Sequence, residues 1–413
     1  MINLKKGFFT CVVIYNVAAF SQTGNLTSSP YSLFGVGRQN ELGSGKTNAL
    51  GRGGFALGSE SEINSLNPAS FGSIPKNSFF FDLGMKNENS YYIGSNDEQS
   101  NNTSNFSNIS MALAFDKKSA IGVSLFPYTN VGYNISAVTG TVEGSSDFYR
   151  SNIVGSGGLN SFHINYGRKL NDRLNVGVRG IYYFGKINEV ETVNIQENKL
   201  LIDESHYYKG IQFSLGGQYK LRDNLGIGVA VNLPASLSGS KEQAVSSVID
   251  GVESEIEAAE NIKIRSYQLP TEIGIGTKYT YKAFTFNADY KLSLWSGTNE
   301  EENAIDELTN QHFVGGGVEY LEGGRSYFSK MRFRMGGNYD TGHMLIDGSK
   351  IRSASVTAGI GLPLSLRYNS FINISYSYGQ RGQLSDMLIR ENYHLVSINL
   401  SLEEIWLVKR LIE

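Results

Sequence analysis

The chain has 413 residues, and 36 Lys and Arg stand against 39 Asp and Glu, so its formal net charge is −3. It contains 47 Gly, 24 Tyr and 22 Phe but only seven Pro and one Cys. This charge gives no electrostatic basis for binding nucleic acid, and a lone cysteine excludes an internal disulfide. The aromatic and glycine content is typical of a membrane β-barrel, which needs aromatic girdles and tight turns.

Residues 1–21 have the layout of a secretory signal peptide. Lys5 and Lys6 precede an apolar run that ends at Phe20, followed by a plausible cleavage site. The run is too short for a membrane helix. Because Cys11 lies inside the run and not at its end, a lipoprotein is the less favoured interpretation. We therefore expect an exported protein.

Residues 22–76 lack the pattern of membrane strands and are rich in Gly, Ser, Asn and Ala. Their length and their place before the first strand predict a hatch, or plug, inside a barrel. A disordered periplasmic arm is the alternative, but such an arm is normally poorer in apolar anchors. The anchors here are Phe34, Phe55, Ile63, Leu66 and Phe71.

From residue 77 to residue 402, apolar and polar residues alternate repeatedly. Phe284 to Leu294 is the clearest case, and a period of two predicts a β-strand with one apolar and one polar side. A tilted strand crosses a bilayer in roughly 9–11 residues, so we expect the apolar side to face lipid and the polar side the lumen. The predicted strands are 77–94, 104–116, 119–139, 148–170, 174–194, 206–221, 225–239, 262–281, 284–296, 311–321, 330–346, 352–362, 370–382 and 390–402.

Short polar connections alternate with long ones between these strands. Bacterial barrels place short turns in the periplasm and long loops outside, and an even strand count leaves both termini periplasmic. The sequence thus predicts an all-β fold: a closed antiparallel transmembrane β-barrel of about 14 strands (77–402) with an N-terminal hatch and a periplasmic C-terminal tail (403–413). The glycines at 155–158 resemble a turn, but we interpret them as a bulge within one long strand. The expected location is the outer membrane of a Gram-negative bacterium.

Two short motifs lie in the predicted hatch. Asn48-Ala-Leu-Gly-Arg-Gly-Gly54 is followed by Asn67-Pro-Ala69, and this order resembles the N-terminal hatch of the FadL-type outer-membrane transporters. The hatch residues that carry the resemblance are Gly51, Gly53, Gly54, Asn67, Pro68 and Ala69. The resemblance implies a barrel that imports hydrophobic compounds such as long-chain fatty acids.

The same resemblance implies a kink in the third strand that opens the barrel wall sideways. Pro127 falls in the predicted third strand, and proline cannot donate to the hydrogen-bond ladder, so it is the candidate for this lateral gate. A bend above the membrane plane is the alternative. The segment Ser61–Leu66 departs from the transporter pattern, which leaves the ligand chemistry open.

Seven charged residues fall on polar strand faces and are candidate lumen charges: Arg179, Lys220, Asp289, Lys291, Arg332, Arg334 and Asp340. They could guide an amphipathic head group, since arginine matches a carboxylate. Pairing with one another and with the hatch is the favoured interpretation, because nothing in the pattern selects a ligand.

The segment 240–260 has apolar residues at helical spacing, and Ser240 with Gln243 fits a capping box, so the sequence predicts a surface helix. Its other face is acidic, which suggests a solvated cap, a gate or a docking site. The five histidines are scattered without metal-ligand spacing. We expect no enzyme activity, no metal site and no cofactor.

The sequence leaves two candidate functions open. The first is passive uptake of hydrophobic, fatty-acid-like small molecules, with lateral exit through the wall. The second is a non-transporting accessory barrel in an outer-membrane protein secretion or assembly complex, because the extended C-terminus resembles FadL-like subunits of type IX secretion. Expected partners are outer-membrane lipid, hydrophobic small molecules and other outer-membrane proteins, but not nucleic acid.

Overall fold

The computed structural model describes residues 27, 29–40, 43–94, 98–141, 144, 147–196, 198–249, 252–298, 307–346, 348–365, 368–385 and 388–406. The predicted signal peptide and residues 407–413 of the predicted tail lie outside this part of the chain. The strands are β1 Arg38–Gln39, β2 Ser78–Ile93, β3 Glu98–Ala114, β4 Ser119–Pro127, β5 Thr129–Thr141, β6 Phe148–Lys169, β7 Leu174–Ile195, β8 Asn198–Arg222, β9 Leu225–Asn232, β10 Ala235–Ile249, β11 Val252–Leu269, β12 Glu272–Tyr281, β13 Phe284–Ser293, β14 Glu307–Leu308, β15 Gln311–Tyr320, β16 Arg332–Asp340, β17 Met344–Ile346, β18 Ser349–Lys350, β19 Ser353–Pro363, β20 Phe371–Arg381 and β21 Arg390–Ile405. Short 3-10 helices span Pro30–Leu33, Gly45–Ala49, Pro68–Ser73, Trp295–Gly297 and Phe328–Lys330.

Most of the strands form one closed antiparallel barrel, while β14, β17 and β18 form a separate three-stranded sheet. Neighbouring strands pair in chain order, and the first wall strand, β2, pairs with both β3 and the last strand, β21. The wall has 14 strand positions, so the predicted fold class is confirmed. Closure satisfies the backbone groups at the edges that hydrocarbon would otherwise leave unpaired.

Alternation sets which side chains face outward, and β8 shows it most clearly. Ile211 and Phe213 are both 60% exposed on the outside, whereas Gln212 and Ser214, at 3% and 1%, are buried inside the barrel. The glycines at 155–158 lie within the continuous strand β6, as predicted. None of the helices in the described part of the chain is long and apolar enough to cross a membrane.

Three predicted strands are each divided in two within the wall, and a proline lies at each of these breaks; the predicted strand 330–346 is divided as well, into β16 and β17, but without a proline. The breaks separate β4 from β5 after Pro127, β9 from β10 at Pro234, and β11 from β12 at Pro270. Because proline lacks an amide proton, a ladder is readily interrupted there. Apolar side chains pack on the inside near this level, including Val131, Leu237 and Leu269.

The predicted surface helix at 240–260 is wrong. This segment belongs to β10 and β11, which form a hairpin from Ala235–Leu269 to Ile249–Val252, with β10 also paired to β8. Its Val and Ile residues favour strands, and the free edge of the long strand β8 offers backbone partners that a solvated helix would lack. The loop expected at 195–205 is likewise mostly strand. As a result, β6, β7, β8, β10 and β11 extend well above the rest of the wall.

Candidate functional site

The described residues before β2, here called the N-terminal segment (29–40 and 43–76), pack against the inner side of the wall. Asn67 begins the 3-10 helix Pro68–Ser73, where its Oδ1 accepts a hydrogen bond from the Ala69 amide at 3.0 Å. Its Nδ2 donates to the carbonyl oxygens of Phe55, Gly217 and Val229 at 2.9, 3.1 and 3.2 Å. One amide thus joins two parts of the segment to two wall strands.

Two glycines of the first motif, Gly51 and Gly53, lie in close contact with the wall, whereas Gly54 faces Leu57, Thr47 and Leu66 of the segment itself. Gly51 has a φ of +64°, and a Cβ there would overlap the carbonyl oxygens of Gly316 and Gly337. A Cβ on Gly53 would overlap the Asp289 carboxylate. Only residues without a side chain allow this approach of two backbones.

A buried charge network holds the segment to β16. Oε1 of Glu62 lies 2.9 Å from Nη2 of Arg334 and 3.1 Å from Nη1 of Arg332, and Glu62 Oε2 accepts a hydrogen bond from Asn373 at 2.8 Å. Arg334 Nε also pairs with Glu319 at 2.7 Å. Burial acts to raise the pKa of Glu62, but the two guanidinium groups outweigh it and hold this pKa below its ordinary value.

A second network fixes the strand β1 near the other end of the barrel. Nη1 of Arg38 lies 2.6 Å from the Glu88 carboxylate, and Arg381 lies 2.8 Å from Glu391, which also accepts a hydrogen bond from Ser29 at 2.8 Å. These five residues were not among the candidate residues predicted from the sequence. Glu88, Arg381 and Glu391 occupy lumen-facing positions of their strands, so alternation was the signal that could have found them.

The other candidate lumen charges separate into three groups. Asp289 accepts a hydrogen bond from the Phe55 amide at 2.8 Å and so binds the N-terminal segment. Lys291 and Asp340 line a cavity beyond it. Lys220 lies at the short-turn rim, where its side chain is 49% exposed and pairs with Asp223 at 3.0 Å.

The main cavity has a volume of about 600 Å³ and lies above the segment 43–76. One side is aromatic and includes Phe126, Tyr128, Tyr183 and Tyr267. The rest of the lining mixes apolar residues such as Leu66 and Phe313 with polar and charged ones, among which cationic side chains outnumber acidic ones. Such a lining suits a molecule with an apolar body and a polar end.

Arg179 differs from the other buried arginines because no carboxylate in the described part of the chain pairs with it. Its side chain hydrogen-bonds to Asn165 Oδ1 at 2.8 Å and to the Ser65 carbonyl at 2.6 Å, and it borders the cavity. No acidic group of the described residues lies within salt-bridge distance. By contrast, Arg38, Arg332, Arg334 and Arg381 each have a carboxylate within 3.1 Å.

Unpartnered polar atoms surround this guanidinium. The Nδ1 of His163 and the Nδ2 of Asn165 are buried and have no hydrogen-bond partner among the described residues. The same holds for the hydroxyl of Ser124, which lies opposite His163 in the register of β4 and β6. His163 Nε2 contacts the Ser161 hydroxyl at 3.0 Å. A buried polar group without a partner costs about 1–3 kcal/mol, so this corner favours a bound polar group or water.

The wall is incomplete beside the same corner. Pro127 ends β4 and lines the cavity, and after it β5 pairs with β6 and with the inner strand β1. β3 pairs with β4 only through Ile109–Ala114, so in the described chain its residues 98–108 have ladder partners on β2 alone. The residue singled out as the candidate lateral gate thus lies at a break in the wall.

The fold and the inner segment place the chain in the class of FadL-like outer-membrane barrels. A family model described as BamG matches residues 1–413, and the chain belongs to this family. In the described residues no group of three or more His, Asp or Glu is arranged to hold a metal ion.

Several solved structures have a similar fold. The toluene transporter TodX of P. putida has a TM-score of 0.62 at 14% identity, covering 89% of this chain and 100% of its own. The CymD monoaromatic hydrocarbon channel has a TM-score of 0.60 at 16% identity, with 88% and 98% covered. A Pseudomonas aeruginosa FadL homologue has a TM-score of 0.54 at 12% identity, with 93% and 100% covered. No curated protein matches the chain.

Proposed function

We propose that this barrel takes up anionic amphiphiles of the fatty-acid kind, captured in the main cavity and released sideways into the membrane. The observation that carries this proposal is the unpaired guanidinium of Arg179 at the cavity wall. A buried charge is costly unless it is paired, so an anionic head group would supply the missing partner. Arginine also binds carboxylates with two parallel hydrogen bonds.

The aromatic side of the cavity would hold the apolar body of the ligand. Phe126 and Tyr128 flank Pro127, and Tyr128 packs edge-on against Tyr183 with ring centroids 4.6 Å apart. Arg179 and these rings line the same cavity. One elongated molecule could therefore touch both the charged corner and the aromatic wall.

The route to the short-turn end is filled. Residues Glu62, Asn64, Asn67, Ser70 and Phe71 of the N-terminal segment are each at most 1% exposed. We propose that this segment acts as the hatch and stays in place during transport. The gap between β3 and β5 then supplies the exit, because it opens beside the cavity and faces lipid.

Binding can be tested on the purified barrel with two probes of equal chain length. Oleate carries a carboxylate and oleyl alcohol does not, so oleate should bind at least about tenfold more tightly. Arg179→Met should remove this preference, whereas Arg150→Met, at an exposed position of β6, should leave it intact. Equal binding of both probes to the unaltered barrel would contradict the proposal.

The exit route can be tested by bridging the gap. The side chains of Asn105 and Asn130 meet across it, with Nδ2 and Oδ1 3.4 Å apart. A short bismaleimide joining N105C to N130C should stop oleate uptake while binding persists, and each single cysteine variant treated alike is the control. Unchanged uptake after complete bridging would exclude this exit.

A second candidate is the accessory barrel of an outer-membrane protein secretion or assembly complex. The filled lumen favours it, because the buried networks around Glu62 and Glu391 hold the N-terminal segment at both ends. Purification from native membrane in mild detergent separates the candidates. Stoichiometric recovery of other membrane proteins would support a subunit, whereas a lone barrel with bound amphiphile would support uptake.

A further inference from the structure

Three short turns join into one continuous shelf at the end of the barrel that we place in the periplasm. The turns are 115–118, 170–173 and 223–224. Backbone hydrogen bonds connect them: the Lys169 amide donates to the Lys118 carbonyl at 2.7 Å, and the Lys220 amide donates to the Arg173 carbonyl at 2.7 Å. These bonds hold side chains from separate turns at fixed spacing.

The shelf is strongly basic. Seven cationic residues and three acidic ones lie on it: Lys117, Lys118, Arg168, Lys169, Arg173, Lys220 and Arg222, with Asp116, Asp172 and Asp223. Two of the acids form ion pairs at their own turns: Asp172 pairs with Lys169 at 2.9 Å, and Asp223 pairs with Lys220 at 3.0 Å.

Four cations remain exposed for a partner. Lys117, Lys118, Arg173 and Arg222 have no acidic group of the described residues within salt-bridge distance. The opposite end of the barrel carries exposed acids instead, such as Glu255 and Glu257 of β11. A chain with a net charge of −3 thus concentrates positive charge at one end.

The direction of these side chains favours a soluble partner over lipid. Along β8, even-numbered side chains such as Gln212 and Ser214 point to the lumen and odd-numbered ones to lipid. Lys220 continues the even series, so it lies on the axis side of the rim, and the series ends there because a bulge separates Lys220 from Arg222. Lys169 follows the inward series of β6 in the same way, after His163 and Asn165. Lipid head groups contact the outer side of the rim.

We propose that the shelf is a docking surface for an acidic segment of a periplasmic protein. Charge complementarity with the four free cations steers and aligns such a segment. The fixed spacing set by the backbone bonds between turns gives the contact a defined geometry. This surface is separate from the cavity. A docking site there is therefore compatible with both candidate functions, uptake of small molecules and assembly with other proteins.

The test uses the full barrel in phosphatidylcholine nanodiscs and a fluorescein-labelled polyglutamate peptide as the probe. A fourfold variant, K117E/K118E/R173E/R222E, should weaken binding by at least about tenfold and flatten its salt dependence. The matched control R150E/K186E/K199E/K209E makes the same change of charge at the other end and should bind the peptide as the unaltered barrel does. Equal loss in both variants would mean attraction to overall charge and would overturn the proposal.

A second experiment with an anionic lipid tests the competing explanation, which is that the shelf binds lipid head groups. Nanodiscs with added phosphatidylglycerol should leave peptide binding to the unaltered barrel within about twofold. If phosphatidylglycerol displaces the peptide and co-purifies with the unaltered barrel but not with the fourfold variant, the shelf binds lipid and the proposal is wrong. Oleate binding by the fourfold variant should equal that of the unaltered barrel, which shows that the variant is folded.

Discussion

Two buried arginine sites in the lumen have opposite electrostatics. At the first, Arg332 and Arg334 share the carboxylate of Glu62, so the N-terminal segment and the wall neutralise each other. At the second, Arg179 contacts the same segment through the Ser65 carbonyl oxygen, and no carboxylate of the described residues lies within salt-bridge distance of it. Burial alone therefore does not reveal the role of an arginine. The charges at the first site are neutralised without a ligand, and the charge at the second is not.

The largest expected loss of stability follows from disrupting the first site, the Glu62 network. Glu62→Gln keeps the shape of the side chain but leaves two buried guanidinium groups with less compensation, so the free energy of unfolding should fall by about 3–5 kcal/mol. Urea unfolding in lipid vesicles measures it, and Glu404→Gln, at an exposed position on β21, is the control. A loss below about 1 kcal/mol would mean that the network does not hold the segment.

The Glu62→Gln variant also tests how the stability of the barrel depends on pH. Because the pKa of Glu62 is lowered in the folded protein, its stabilising contribution is complete above the ordinary glutamate pKa and is lost as pH falls through the lowered value. The stability difference between the unaltered barrel and Glu62→Gln should therefore stay constant from about pH 8 to pH 5 and shrink only in stronger acid. A difference that already shrinks above pH 5 would contradict the assigned direction of the shift.

A smaller loss is expected where the segment is held by neutral hydrogen bonds. Asn67→Ala removes the amide that donates to Phe55, Gly217 and Val229, and should cost about 1–3 kcal/mol. Asn67→Asp is the informative companion, since it keeps the acceptor for Ala69 but removes the donor. If the aspartate variant is as stable as the unaltered barrel, the donor contacts to the wall carry no stability.

The smallest effect on stability is expected at the second site. Arg179→Met removes two hydrogen bonds but also a buried charge without a counter-ion, so the free energy of unfolding should change by less than about 1 kcal/mol. The same measurement with saturating oleate should then stabilise the unaltered barrel but not the variant. A large loss without ligand would make Arg179 a structural residue and weaken the proposed function.

Much of the fold could be predicted because alternation is local. The strand at Phe284–Leu294 and the single long strand through residues 155–158 both followed from period-two patterns and from the turn count. The three proline breaks could also have been anticipated, but only Pro127 was considered. The helix at 240–260 failed because helical spacing in a short segment does not include the partner strand, here β8.

Less of the candidate site than of the fold could be predicted from the sequence. Arg332 and Arg334 appeared as lumen charges, but their shared partner Glu62 lies about 270 positions away in the chain. Arg179 appeared beside them with nothing to show that its environment differs. Lys220 had the same alternation signal and lies at the exposed rim. Alternation tells which side of the wall a residue occupies, but neither its height nor its partner.

The sequence by itself determined the barrel class, the strand count and the inward or outward face of each strand, because side-chain direction in a strand depends only on the parity of position. Only the tertiary structure decided which lumen charges are neutralised, where the wall fails to close and which turns join into a basic shelf. These features depend on contacts between residues far apart in the chain, and on the N-terminal segment that fills the space between them. Pairing and burial are properties of that packed interior, which no local pattern contains.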